Sequence, residues 1–98
     1  MTFTQRLRDR IKRGEITCSV RIWHAPRVKV GGRYALDEGV VVVERIARIG
    51  LEDITGELAR RSGFDGVVDL LKVARHGSGR NVYLVDFRYE ASVPIGSA

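Results

Sequence analysis

The chain has 98 residues, of which 44% are hydrophobic and 30% are charged, a composition typical of one globular domain. No apolar run approaches the roughly 20 residues that a membrane-spanning helix needs, and the first residues lack the apolar stretch of a signal peptide. We therefore expect a cytoplasmic protein with no membrane partner. A single cysteine, Cys18, excludes an internal disulfide, and with two histidines it forms no metal-ligand spacing, so no metal or cofactor is predicted.

The formal net charge is +5, and 14 of the 17 basic residues are arginine. Arginine is suited to bidentate contacts with phosphate and to stacking on bases, so a polyanion is a reasonable partner. A genome of high GC content also raises arginine over lysine, and the composition alone leaves both explanations open.

Apolar residues recur every four positions near the start, which predicts an amphipathic helix over 4–13 with Gly14 as its stop. The periodic residues are Phe3, Leu7 and Ile11. The other faces of this helix are basic and include Arg6 and Arg10. A solvated helix face and an anion-binding surface are both consistent with such a charge run.

The stretch after Gly14 alternates in character, which predicts a strand. The residues predicted to face a core are Cys18, Val20 and Ile22. Thr17, Ser19 and Arg21 line the opposite face, and Trp23 continues it by parity. A guanidinium is rarely buried unless it meets a carboxylate, a phosphate or a ring, so this face is either solvated or a ligand-binding site.

Trp23 begins a segment, 23–27, that its proline should hold extended or turned. In one interpretation a base stacks on the indole while its phosphate meets Arg21. In the other, Trp23 closes the end of the core.

Short β-branched stretches separated by turn residues predict a meander of antiparallel strands. These stretches are 28–30, 34–36, 40–49 and 82–89. Several short strands in so small a chain indicate a closed or nearly closed barrel, which removes exposed edges. Within 40–49 neither face is cleanly polar, so the register stays open.

Two short helices are predicted between the last strands. The first, over 56–62, has Asp53 or Thr55 as its N-cap and Gly63 as its stop. The second follows Asp65 and has a wide apolar face over 67–74. Asp69 is the one acid in that helix, either solvated or turned toward a pocket. A flexible turn is predicted over 76–81 and a frayed tail over 91–98.

These elements and their order resemble the ASCH family, whose members have a PUA-like β-barrel with flanking helices. The resemblance covers about 2–90, and the opening residues 2–7 are similar to those of the small bacterial acetylcytidine amidohydrolases in that family. It implies an α+β fold, a small PUA-like antiparallel β-barrel flanked by helices, as a single domain over 1–98. It also implies that RNA, a nucleotide or a modified nucleoside binds in a cleft between barrel and helices.

The family signature, usually written GxKxxExR, places its glycine on Gly14 and its arginine on Arg21. Its lysine position holds Ile16 and its glutamate position holds Ser19. The lysine, threonine and glutamate used by the amidohydrolases correspond to Ile16, Ser19 and Asp69, and Ile16 cannot take a proton. If a turn at the start of the strand aims Ile16 at the cleft, Ile16→Lys should raise activity without abolishing folding.

The leading prediction is an RNA- or nucleotide-binding protein in which Arg21 holds a phosphate or a base edge. The other predicted ligand-binding residues are Thr17, Trp23, Arg6 and Arg10, with Ser19 as a further hydroxyl. One alternative is an amidohydrolase on acetylated cytidine, or a ribonuclease, with Ser19 and Asp69 as catalytic residues. A second alternative is a subunit that docks on a partner protein.

Overall fold

The computed structural model of the chain describes residues 2–74 and 79–91. Its elements in chain order are α1 (Gln5–Lys12), β1 (Cys18–Trp23), β2 (Arg33–Leu36), β3 (Gly39–Ile49), a 3₁₀ turn (Leu51–Asp53), α2 (Gly56–Arg61), α3 (Val67–Ala74) and β4 (Asn81–Ala91). Of the predicted turn and tail, 76–78 and 92–98 lie outside the described residues, while Asn81 and Ala91 belong to β4. No helix of the described part has the length and apolar character needed to cross a membrane.

The four strands form one curled antiparallel sheet, a half-barrel, in the order β1-β4-β3-β2. The predicted closed or nearly closed barrel is found in its coarser form: in the described ranges the sheet is a half-barrel, open at the edge strands β1 and β2. The predicted strand over 28–30 is a loop, so no strand bridges the two edges there. The mixed α+β class is as predicted.

A β-bulge in β3 explains why its alternation was ambiguous. Pairing with β4 shifts between Val43 and Arg45, so the residues before and after this point follow different parities. Val41, Val42 and Val43 are all buried, whereas Arg45 is exposed.

The first helix and its ends agree with the prediction. Thr4 is the N-cap of α1, Arg13 is its C-cap, and Gly14 follows with φ at +77°. Helix α1 packs against β4, with the Phe3 and Phe87 rings 5.4 Å apart between centroids. Helix α3 packs against β1.

Strand β1 is covered on both faces, and all six of its residues are buried. The alternation itself is as predicted, since Ser19 pairs with Val85 and Arg21 pairs with Tyr83 on one face. The interpretation of that face as solvated is wrong, because the exposed fractions of Ser19 and Arg21 are only 9% and 8%.

The end of α2 approaches α1 closely at Gly63. Thr55 caps α2 by accepting a hydrogen bond from the Leu58 N–H at 3.2 Å, and Gly63 ends the helical region with φ at +99°. A Cβ atom at Gly63 would lie 2.6 Å from the Leu7 side chain and 2.7 Å from that of Ile16. Glycine is thus required at position 63, both for the positive φ and because a side chain would collide with Leu7 and Ile16. The close approach places Ser62 and Phe64 beside the N-terminal segment.

Candidate ligand-binding site

The Arg21 guanidinium is buried and held by three neighbours. Its Nε donates to the Ser19 hydroxyl at 2.8 Å, and its Nη2 donates to the backbone carbonyl of Thr2 at 2.6 Å. Its Cζ lies 5.0 Å from the centroid of the Phe3 ring, a cation–π contact. The guanidinium is therefore oriented by the preceding residues of its own strand and by the N-terminal segment.

No carboxylate of the described residues neutralises Arg21. All 12 Asp and Glu residues of the chain lie in the described ranges, and none of them forms a salt bridge with this guanidinium. Burial lowers the pKa of Arg21 from 12.5 to about 10, so the side chain is still a cation at neutral pH. A buried cation without a counter-charge is costly, and such groups concentrate at functional sites.

A cavity of about 200 Å³ lies beside Arg21. It is bounded by the N-terminal segment, β1 and the α2–α3 region. Its apolar lining consists of Phe3, Leu7, Val20, Phe64, Val73 and Ala74. Its polar lining consists of Thr2, Thr4, Ser19, Arg21 and Ser62. A mostly apolar wall with a few convergent polar groups is the usual make-up of a small-molecule site.

The hydroxyl groups of the cavity differ in what they can still bind. The Ser62 hydroxyl lies 3.0 Å from two backbone carbonyls of its own helix, Leu58 and Ala59, so its donor is already used. The Ser19 hydroxyl accepts from Arg21. The Thr4 hydroxyl makes no capping hydrogen bond and is left for a ligand.

Neither of the two helix arginines predicted to bind ligand lines the cavity, but Arg6 contacts a residue that does. The Cζ atom of Arg6 lies 5.5 Å from the centroid of the Phe64 ring, which lines the cavity. Arg10 instead forms an ion pair with Glu15, with 3.6 Å between Nε and Oε1, and it is not among the lining residues.

Thr17 and Trp23 do not line the cavity. Thr17 is exposed, and its backbone carbonyl accepts a hydrogen bond from the Phe87 N–H at 2.9 Å. Trp23 is only 4% exposed, and its ring lies 6.0 Å from the Tyr83 ring between centroids. It closes the core, so it offers no open ring face on which a base could stack.

The predicted catalytic pair is not brought together. Asp69 is half-buried on α3, one helical turn before the lining residue Val73. Within the described part of the chain, Ser19 makes its side-chain hydrogen bond to Arg21, and none joins it to Asp69. Ile16 is 1% exposed in the core and does not reach the cavity.

Sequence reasoning missed the aromatic walls of the site. Phe3 was predicted on the apolar face of the first helix, and Phe64 was not predicted to line a site, whereas both pack in the core and line the cavity. The one indication in the sequence for Phe64 was its position directly after Gly63, where the helix ends and the chain can turn back. Two contacts between distant parts of the chain bring these rings to the cavity. Phe3 packs on Phe87 of β4, and Gly63, next to Phe64, lies close to Leu7 of α1.

Other reactive groups do not contribute to this site. Among the described residues, no three His, Cys, Asp or Glu side chains are grouped so that they could hold a metal ion. Burial raises the pKa of the Cys18 thiol, which disfavours the thiolate.

Comparison with protein-family models, curated proteins and solved structures finds no match to the chain. The functional conclusion is therefore drawn from the geometry of the Arg21 cavity and from the residues of the sequence.

Proposed function

We propose that the chain binds a nucleobase-bearing ligand, either a free nucleoside or nucleotide or a residue of RNA, in the Arg21 cavity. The observation that carries this proposal is the buried Arg21 guanidinium, which borders a cavity and has no carboxylate partner. A ligand that supplies hydrogen-bond acceptors there would compensate the charge that the protein leaves unpaired.

The shape and chemistry of the cavity suit a base better than a bare anion. A base has apolar faces, which match the rings of Phe3 and Phe64, and a polar edge, which matches the N–H groups of Arg21. At about 200 Å³ the cavity is smaller than the roughly 300–1,000 Å³ typical of sites for drug-sized ligands. It therefore suits one base rather than a larger molecule.

The resemblance to the ASCH family supports the same proposal. It implies RNA or nucleoside binding in a cleft between sheet and helices, and Arg21 occupies the position of the signature arginine. The PUA-like fold, the ASCH relationship and a cytoplasmic location are parts of this proposal.

Binding is favoured over hydrolysis by the residues around the cavity. Its described lining contains no Asp, Glu, His, Lys or Cys side chain that could act as a general base. The Ser19 hydroxyl accepts a hydrogen bond from a cation, which does not activate it as a nucleophile. The amidohydrolase and ribonuclease alternatives lack a proton acceptor here.

Calorimetric titration of the full chain tests the proposal. The probes are cytidine, acetylcytidine, uridine, adenosine, guanosine and a single-stranded RNA oligomer of mixed sequence, all at low salt. At least one probe should bind, and Arg21→Met should weaken it about tenfold or more, because a hydrogen bond to a charged group is lost.

Arg45→Met is the matched control, since it removes the same charge from an exposed residue of β3. It should change the affinity by less than about threefold. Absence of binding by every probe would contradict the proposal, and so would an equal loss in the two variants.

A further inference from the structure

The basic residues of α1 and its C-cap fall into two groups. Those that pair with carboxylates are Arg8 with Asp37, Arg10 and Arg13 with Glu15, and Lys12 with Asp9, Asp37 and Glu38. Arg6 forms no salt bridge, although every Asp and Glu side chain belongs to the described residues. The helix thus neutralises its cations within the chain except at Arg6.

Arg6 is also the cation of α1 that stacks on a wall of the cavity, although it does not itself line the cavity. It is exposed, and its guanidinium sits over the ring of the lining residue Phe64. Stacking uses the flat face of a guanidinium and leaves its N–H donors, which lie in the plane, for an acceptor. Arg6 is therefore an unpaired cation beside a wall of the cavity, where its N–H donors are available to the ligand proposed for that cavity.

We propose that Arg6 recognises a phosphate group attached to the base held in the Arg21 cavity, so that the site prefers a nucleotide over the corresponding nucleoside. This inference rests on the proposed function. Phosphate presents several strong acceptor oxygens in the geometry that arginine contacts bidentately. The phosphate belongs either to a mononucleotide or to the backbone of RNA. In both cases its oxygens accept hydrogen bonds from the Arg6 guanidinium.

The test compares, for each nucleoside of the panel, the nucleoside with its 5′- and 3′-monophosphates by calorimetry on the full chain. One monophosphate should bind about tenfold or more tightly than its nucleoside, as expected for a charge-assisted hydrogen bond. Arg6→Gln should remove this advantage while leaving nucleoside binding within about threefold of the wild type.

Arg13→Gln is the matched control on the same helix, because it removes an equal charge at the far end of α1. The phosphate advantage should persist in this variant. An RNA oligomer of the same base then identifies the source of the phosphate: tighter binding of the oligomer indicates RNA, and equal or weaker binding indicates the mononucleotide.

The outcomes separate the two proposals. Equal affinity for nucleoside and monophosphate would overturn the role of Arg6 and leave the proposed function standing. Equal loss of the advantage in Arg6→Gln and Arg13→Gln would also overturn it, since the effect would then be general electrostatics. Failure of every nucleoside, monophosphate and RNA probe to bind would overturn both proposals.

Discussion

The sheet carries a set of exposed, paired charges and one buried charge that is not paired with a carboxylate. The outer group, which we call the exposed ladder, consists of Arg33, Glu44, Arg88 and Glu90 on β2, β3 and β4. Its N–O distances are 2.8–3.2 Å, and each of its side chains is at least 36% exposed. Arg21, on β1 at the edge of the same sheet, is 8% exposed and has no carboxylate partner.

The comparison shows where the chain retains an unfavourable charge. Ion pairs in solvent stabilise little, so the exposed ladder is readily accommodated. Burial lowers the pKa of Arg21 from 12.5 to about 10, which corresponds to roughly 3 kcal/mol at 1.36 kcal/mol per pKa unit. A charge with that cost does not favour stability, and its position beside a cavity is the basis of the proposed binding role.

The largest expected effect comes from creating a second buried cation at a residue that does not line the Arg21 cavity. Ile16 is 1% exposed and packs near Leu7 and Gly63. Because burying an unpaired charge costs several kcal/mol, Ile16→Lys should lose several kcal/mol of unfolding free energy in urea denaturation. Val30→Lys, at a residue that is 61% exposed, is the control and should be close to neutral.

This result would correct the expectation that a lysine at position 16 reaches the cleft. If Ile16→Lys instead unfolds within about 1 kcal/mol of the wild type, the lysine has found solvent or the cavity. A cation at position 16 would then be no more costly than the one at position 21.

A smaller effect is expected when the buried charge of Arg21 is removed. Arg21→Met relieves the desolvation cost but leaves the Ser19 hydroxyl and the Thr2 carbonyl without their donor. These opposing contributions are each of order 1–3 kcal/mol, so the unfolding free energy should stay within about 2 kcal/mol of the wild type.

The pH dependence of this variant has a definite sign. A lowered pKa in the folded state means that the cost is fully present below about pH 10 and is relieved as the pH rises above that value, where the folded state loses the proton first. The difference between Arg21→Met and the wild type should therefore be constant across neutral pH. Destabilisation by more than about 4 kcal/mol would show that Arg21 is chiefly structural.

The smallest expected effect is in the exposed ladder. Hydrogen bonds from Arg88 and then Arg33 lower the pKa of Glu90 below 4.5. The stabilisation from this carboxylate is thus present above pH 4.5 and is lost as the pH falls through the lower, folded-state pKa. Glu90→Gln should be slightly less stable than the wild type at neutral pH, and thermal melts of the two should converge in acid or in 1 M salt. A difference that persists in acid would contradict this assignment.

Local features of this protein follow from the sequence alone. The first helix, predicted over 4–13 and found over Gln5–Lys12, its stop at Gly14, the turn at Gly63 and the alternation of β1 were predicted. The cap of α2 was predicted as Asp53 or Thr55, and it is Thr55. Each depends on backbone geometry and on side chains a few residues apart, which short-range patterns report directly.

Tertiary structure alone decided the properties on which function depends. Lys12 meets Asp37 across 25 positions and Arg8 meets the same carboxylate across 29, which pairs two cations of a helix face that the sequence presented as basic. Arg21 is buried because Thr2 and Phe3 of the N-terminal segment pack on its guanidinium, and its cavity exists because Phe3 and Phe64 approach it from distant parts of the chain. Burial and pairing depend on long-range packing, and the spacing of residues along the chain does not encode which of them meet.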